Sequence, residues 1–458
     1  MKEKINIAQR EMIEEFTQEL DSKKIKTNEK DIIFFRDDKK KRKSRIVFKV
    51  PLDLLRYRKD NGRITSDVYT YEANNGMLDE NTDYGQFLLK GFLQRKDPEK
   101  TEELKNSIRK DGQLENAVIT SDGFLINGNR RKMVLEELSK SFPRKREYKF
   151  LKVVILPNGK DESAPKLNEI EEIENRYQLQ NLGKADYYNF DKALSIQRKL
   201  NMGITLDSLL KDDPSFAVLD NKQYVNRKRK FKDEFLEPLK GVERYLFYFN
   251  RKSHYNTISE GRNDSSGRWQ AFLDYYKSMY KKLENQKTRD KLGFKKADLQ
   301  IIDDIAFKLI RLRDFKDIRK KTHQIMRDLP KLLANENSRK VMYGLYGKDK
   351  YVLDEFETIN ELGKPLDEKT KDNIWINKYR EDILKILKKA YYIIETKEEK
   401  DTPLRLLNES LKKLNHYKLD FSILAKQNLT EAQNILNEMK DRLEDLDQQL
   451  IKYKKIKS

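Results

Sequence analysis

Between residues 45 and 156 the spacing of apolar positions changes several times. "RIVFKV", 45–50, alternates with the two-residue period of a strand and stops at Pro51, and "LDLLRY" behind it fits a turn of helix before the "DNGR" turn at 60–63. In "DPEKTEELKNSIRKDGQ" Asp97 can cap orphan amides, Pro98 suits the first helical position, Leu104 and Ile108 share a face, and Gly112 can close the end. That pattern predicts a helix over 98–111. "AVIT" then reads as a strand, "SDG" as a tight turn and "FLI" as a second strand ending at Asn127. A helix from about Arg130 to Lys140 and another strand, "FLKVVIL" at 150–156, complete a small α+β unit, 46–160.

On either side a three-to-four spacing takes over. Residues 1–45 read as a charged helix, Ile5 to Leu20, feeding the basic arm "DDKKKRKSR". After the "PNGKDESAP" loop, helices are predicted over 167–182, 184–201 and 204–211 and along "NKQYVNRKRKFKDEFL", filling a helical segment, 161–251. "KSHYNTISEGRNDSSGR", 252–268, is rich in Ser, Asn and Gly and reads as a linker to an all-helical region, 269–458, with breaks near 334–350 and 362–374. The last helix carries Leu436, Met439, Leu443, Leu446, Leu450 and Tyr453 at alternating spacings of three and four, a coiled-coil seam that self-association or packing within the chain would bury. The expected fold class is α+β, a small mixed N-terminal domain followed by a large, mainly α-helical region.

Composition bears on the partner. Lys and Arg number 97 against 77 Asp and Glu, a formal net charge of +20. Such a chain concentrates polyanions around itself, which makes nucleic acid the leading partner class, with acidic protein or anionic membrane as rivals. Charged residues reach 38% and hydrophobic ones 37%, a balance that suits long solvent-exposed helices better than one large core. The absence of cysteine excludes thiol catalysis, disulfides, iron–sulfur ligation and Cys-type zinc sites. His254, His323 and His416 lie far apart and read as ordinary surface or core residues. No apolar run approaches a membrane span and the N-terminus has no secretory apolar stretch, so the chain reads as cytoplasmic.

The densest chemistry sits at "FLINGNRRKMVLEEL", 124–138. A strand delivering a Gly turn at the mouth of a helix leaves backbone amides open to an anion, and the helix dipole adds to the pull. Gly128 permits close approach, and the forked donors of Arg130 and Arg131 match phosphate oxygens. Cations at a helix start oppose its dipole, which a bound anion would explain. The alternative is a tight turn whose two arginines bond acidic neighbours.

The order of elements adds to this. "VPLDLLRYRKDNGR", then "TEELKNSIRKDGQLENAVITSDGFLINGNRRKMVLEEL", then "EIEEIENRYQLQNLGKADYYNFDKAL" resembles the N-terminal region of the ParB/sulfiredoxin-like superfamily. There an Asn/Arg-bearing box, a Ser-Ile-x-x-x-Gly helix, a Gly-x-Arg-Arg box and a Glu-Asn box follow in this order. Asn61 and Arg63, then Ser107, Ile108 and Gly112, then Gly128, Arg130 and Arg131, then Glu174 and Asn175 match them, within residues 46–240. The resemblance implies a ParB-like domain binding the triphosphate of CTP or ATP through Gly128, Asn129, Arg130, Arg131, Glu174 and Asn175, with Mg2+ held by Glu174 and Asn175. The spacing agrees, since Glu171, Glu174, Asn175 and Gln178 share one side of a helix and Ile170, Ile173 and Tyr177 the adjoining apolar face. The bland reading of the same spacing is an ordinary acidic amphipathic helix. Enzymatic members of the superfamily include nucleases, ATPases and small-molecule kinases, and in an enzyme Glu174 is the expected catalytic residue. Sulfiredoxin chemistry is excluded, because it needs a Cys in this turn.

The resemblance also implies a helix-turn-helix, and "NMGITLDSLL" resembles its first helix, with Thr205 as cap. The second is "NKQYVNRKRKFK"; residues 222–232 hold six basic side chains and no acid. Wound as a helix, Gln223, Asn226, Arg227 and Lys230 form one face, suited to base edges and phosphates, and Tyr224, Val225 and Phe231 the other. A solvated basic helix is the alternative. Residues 269–458 show no nucleophile–base pair, phosphate loop or metal spacing, and read as an interaction or assembly region pairing as a homodimer or with a partner protein. The expected function is a ParB-like DNA-binding protein switched by a nucleoside triphosphate, in DNA partition or maintenance or in defence against mobile DNA. A ParB-like nuclease or nucleotide hydrolase is the enzymatic rival, and a protein-binding scaffold with a vestigial pocket the third reading.

Overall fold

The computed structural model describes residues 12–96, 98–179, 189–211, 213, 216, 219–259, 268–313, 315–347, 349–416 and 418–457. Two compact units result, Met1–Ala390 and Tyr391–Ser458.

The first unit begins with α1 (Glu14–Lys23), β1 (Ile25–Asp31) and β2 (Arg45–Pro51), followed by α2 (Thr65–Asn75), α3 (Asp83–Gln94) and α4 (Pro98–Asp111). Next come β3 (Ala117–Ile119), β4 (Leu125–Asn127), α5 (Asn129–Ser141) and β5 (Phe150–Ile155). The strands form one sheet in the order β1-β2-β5-β3-β4. Only β3 and β5 run parallel, Val118 standing beside Val154; the other neighbours are antiparallel. Period-two alternation buries both faces. Val50, Ala117, Ile119, Leu151 and Val153 pack with Met133 and Leu135 of α5, whereas Val47, Val118 and Val154 meet Ile33, Phe35, Ile170 and Ile173. The expected α+β class, a small sheet followed by a large helical region, is what the chain forms.

The expected helix at 98–111 is present with those bounds, and the four expected strands pair. The arm differs: its helix is Glu14–Lys23, residues 1–11 lie outside the described part, and β1 was not expected at all. Within the basic run, Arg45 bonds Asp38 (Nε–Oδ2 2.5 Å) and Glu162 (Nη1–Oε2 3.1 Å), and Lys43 reaches Glu162 at 2.8 Å, so part of that charge closes the sheet rather than meeting a ligand.

The helical part continues with α6 (Leu167–Leu179), α7 (Asn189–Asn201), α8 (Leu206–Lys211) and α9 (Asn221–Phe231). The expected helical stretches 180–182 and 184–188 lie outside the described residues. A π-helical turn, Lys232–Leu236, joins α9 to α10 (Glu237–Tyr248) just ahead of Pro238, whose missing N–H and bulky ring disfavour a regular turn there. Beyond lie α11 (Asp298–Leu312), α12 (Thr322–Ala334) and α13 (Glu368–Leu414). The stretch expected as a linker, 252–268, is anchored at its described ends and at the residue before it: the Asn256 amide donates to Thr70 Oγ1 at 3.0 Å. Arg251 pairs with Glu368 at 2.5 Å and with Asp372 at 2.6 Å, and buried Arg268 bonds the Thr257 carbonyl at 3.0 Å and the Asp372 carboxylate. Arg311 Nε adds a third guanidinium to Asp372 at 2.9 Å. The division between units falls instead at Ala390–Tyr391.

The second unit holds the end of α13, short turns and α14 (Leu429–Lys457). Among the described residues no helix is long and apolar enough to cross a membrane.

Candidate functional site

A cavity of about 450 Å³ opens in the first unit where β4, α3, α4, α5 and α6 approach one another. The local sequence dictates its floor. Gly128 takes φ +89° at the N-cap of α5, and a Cβ there would stand 2.6 Å from the Ala117 Cβ, so a glycine is required on both counts. With no side chain capping it, the start of α5 presents Gly128, Asn129, Arg130 and Arg131 to the cavity. Gly112, at φ +74°, closes α4 by donating its amide to the Ile108 carbonyl at 3.0 Å, which brings Ser107 and Ile108 to the wall. Asn61 and Arg63 arrive from the turn after β2, and Glu174 and Tyr177 from α6.

By residue count the lining is cationic, with Arg63, Lys96, Lys100, Arg130 and Arg131 against Glu103, Glu115 and Glu174, although Lys96 is paired behind the wall with Asp67 at 3.0 Å and Asp191 at 3.1 Å, and Lys100 with Glu103 at 2.8 Å. Arg131 donates through Nη1 to the Glu115 carbonyl and stands 3.4 Å from the Glu115 carboxylate, and burial pushes its guanidinium below the usual arginine value. Arg131 is therefore held by the fold as well as facing the cavity. A second cavity, about 460 Å³, lies against Lys132, Glu136, Ser139 and Lys140 of α5. Its charges are already matched, for Lys90 and Lys132 both meet Glu136 and the Tyr57 hydroxyl donates to the same carboxylate at 3.4 Å.

Glu174 is buried, accepts the Gly62 amide at 2.8 Å and lies 4.0 Å from Arg198. Burial, with the neighbouring Glu171 charge, holds its carboxyl above the ordinary glutamate value. Glu171 takes Arg58 at 2.7 Å and Arg198 at 2.6 Å. Lys199, fully buried beside these groups, makes no hydrogen bond through Nζ among the described residues, and burial lowers its pKa.

Asn175 departs from expectation. Its Nδ2 donates to the Leu209 carbonyl at 3.1 Å, so the side chain ties α6 to α8 instead of joining the cavity wall. Adjacent positions on a helix point about 100° apart, and here one faces the cavity and the other the helical segment. The magnesium pair expected of Glu174 and Asn175 does not fit, since the two donors do not converge. Among the described residues no group of three or more His, Asp or Glu is placed to hold a metal.

Two wall residues add donors and acceptors that the nucleotide assignment had not used in this way. Asn127 accepts the Val118 amide through Oδ1 at 2.6 Å, which fixes its orientation and leaves Nδ2 buried with no partner among the described residues; Asn129 Oδ1 is likewise buried and unbonded among them. The pairing of asparagines around Gly128 was visible in the sequence, but not that Asn127 would face the cavity.

The segment expected to form a helix-turn-helix has the expected cap at its first helix, with the Ser208 amide donating to Thr205 Oγ1 at 3.2 Å. Leu206, Leu209 and Leu210 share a core with Phe216 and Phe231, which packs α8 against α9. Gln223, Asn226, Arg227 and Lys230 are all exposed, while Lys228 is turned inward onto Asp207 at 2.6 Å. Gln223 also accepts the Asp220 amide at 3.3 Å in a capping box. Val225 corrects the expected apolar face, being 65% exposed, because the inner line runs Tyr224, Lys228, Phe231.

Compared with known proteins, the chain matches no protein-family model, no curated protein and no solved structure.

Proposed function

We propose that the chain is a ParB-like, nucleotide-operated DNA-binding protein, in which the triphosphate of CTP or ATP lies in the cationic cavity and the exposed face of α9 meets DNA. The observation that carries this reading is convergence. Asn61 and Arg63, the end of α4, the Gly128 turn with its arginines, and Glu174 come from four distant stretches of chain and line one space. Its cationic excess and uncapped helix start suit a polyanion, and its volume falls within the roughly 300–1,000 Å³ of small-molecule sites.

The coupling runs through one helix. α6 turns Glu174 to the cavity and Asn175 to Leu209 of α8, and α8 shares its core with α9. A ligand that draws α6 toward the Gly128 turn pulls on the DNA-facing helices, so binding at one site shifts the population at the other. A switch of this kind serves DNA partition and maintenance or defence against mobile DNA.

Calorimetric titration of the full chain with CTP, ATP, GTP and UTP tests the site. The expected outcome is saturable binding that drops at least about tenfold, or about 1.4 kcal/mol, in Arg130→Ala. No binding by the wild type, or equal binding by Arg130→Ala and Arg131→Ala, sinks the reading. The DNA half requires retention on duplex that falls steeply with salt, as phosphate contacts release counterions.

One observation favours the enzymatic rival, a ParB-like nucleotide hydrolase or nuclease: a carboxyl held above its ordinary value inside a cationic cavity is suited to carry a proton. Turnover that vanishes in Glu174→Gln, with binding retained, would decide for it.

A further inference from the structure

The second unit carries an apolar surface that nothing in it covers. Among the described residues from 402 to 455 none is buried. Within α14, Met439, Leu443, Leu450 and Tyr453 are 43% to 64% exposed, and Leu436 and Leu446 half-buried. A helix of 29 residues with no seam position buried gains little from tertiary packing, and isolated helices are only marginally stable in water. Such a stripe marks a contact surface.

The seam fits one occupant particularly well, a second copy of itself running the other way. Layers of an antiparallel pair centred between Leu443 and Leu446 match Leu436 to Tyr453, Met439 to Leu450 and Leu443 to Leu446, so every layer is apolar. Charge selects the direction. Up to Asp447 the helix holds six acids (Glu431, Glu438, Asp441, Glu444, Asp445, Asp447) against Lys440 and Arg442, while after it every charged residue is a lysine (452, 454, 455, 457). Parallel pairing would set lysine-rich end against lysine-rich end; antiparallel pairing in this register sets that end beside the uncharged stretch 432–437, with Glu431 and Glu438 at its edges, and puts Lys440 opposite Asp447. A two-fold axis makes both halves of the interface alike.

A rival cover lies in the same unit, since Leu404, Leu407, Leu411 and Leu414 of α13 also space by three and four and are exposed. That run has four positions, too few to cover the six of α14.

From this self-complementarity we infer that α14 is an antiparallel homodimer contact, with Leu443 and Leu446 at its centre. The cysteine-free chain makes the test clean. In the full-length protein, Leu436→Cys mixed with Tyr453→Cys is expected to form a disulfide-linked dimer on mild oxidation, and Leu436→Cys alone is not. In antiparallel helices the two 436 positions stand about 26 Å apart along the axis. Self-linking of Leu436→Cys would show a parallel pair and overturn the inference. Sedimentation of the untagged wild type is expected to give a dimer that Leu443→Asp converts to monomer. A wild-type monomer, pointing to the Leu404–Leu414 run or a foreign partner as the cover, overturns it, as does a dimer that Leu443→Asp leaves intact.

Discussion

Among single residues, Asn127 separates a built site from an incidental hollow. Its acceptor is occupied by the Val118 amide and its donor is buried at the cavity wall with no partner among the described residues. Asn127→Asp keeps the acceptor and replaces the donor with an oxygen, so the strand bond survives while an anionic ligand loses a hydrogen bond and meets a like charge. Triphosphate affinity is expected to fall by about tenfold or more at unchanged melting temperature, given about 1–3 kcal/mol for an unmet or repelled polar contact. Titration beside a thermal melt checks it, and unchanged affinity removes Asn127 from the site. Arg131 is a poorer probe, because Glu115 already holds it and its loss mixes fold with function.

Individual elements vary in how much of them the sequence revealed, and the differences have physical causes. The helix at 98–111 carried start and stop residues of its own, and β3, β4 and β5 are short apolar runs bounded by Gly, Asn or Pro, so local chemistry specified them. β1, "IKTNEKD", has no apolar alternation; it is a polar strand held by backbone pairing to β2 and by Thr27 donating to the Val47 carbonyl at 2.7 Å. α2 buries Thr65, Ser66 and Thr70, a polar inner face that periodicity does not register. In the site, the Gly128 turn, Arg130, Arg131 and Glu174 were legible from the motifs, whereas Lys96, Lys100 and the inward face of Asn127 depend on tertiary packing. Asn175 was placed by its neighbour, yet one step along a helix is enough to change its surroundings. For α9, the Asp220–Gln223 capping box makes a prediction: Asp220→Ala should destabilise the helix by about 1 kcal/mol, seen as faster amide exchange in its first turn. If exchange is unaffected, the box is not what starts the helix. A Gln223 that reads a base would have to release the Asp220 amide first.

At the level of the whole molecule, the helical part of the first unit turns on Asp372. Burial alone would raise its carboxyl, but Arg268, Arg251 and Arg311 outweigh that and hold it well below the ordinary aspartate range. Because the folded value is depressed, the stabilisation is fully present above the unfolded value of about 3.9 and is lost as pH falls toward the folded one. Asp372→Asn leaves three buried guanidinium groups short of a countercharge and is expected to cost about 3–5 kcal/mol at neutral pH. Thermal melts from neutral to acid pH should show the wild type losing its advantage over the variant below about pH 4; parallel curves would mean that the carboxylate is not the keystone. The three arginines stand at 251, 268 and 311, long before their shared acid in the order of synthesis. A nascent chain therefore carries three cations before their shared carboxylate exists, and the region from α10 to α11 balances its charge only once α13 has followed it.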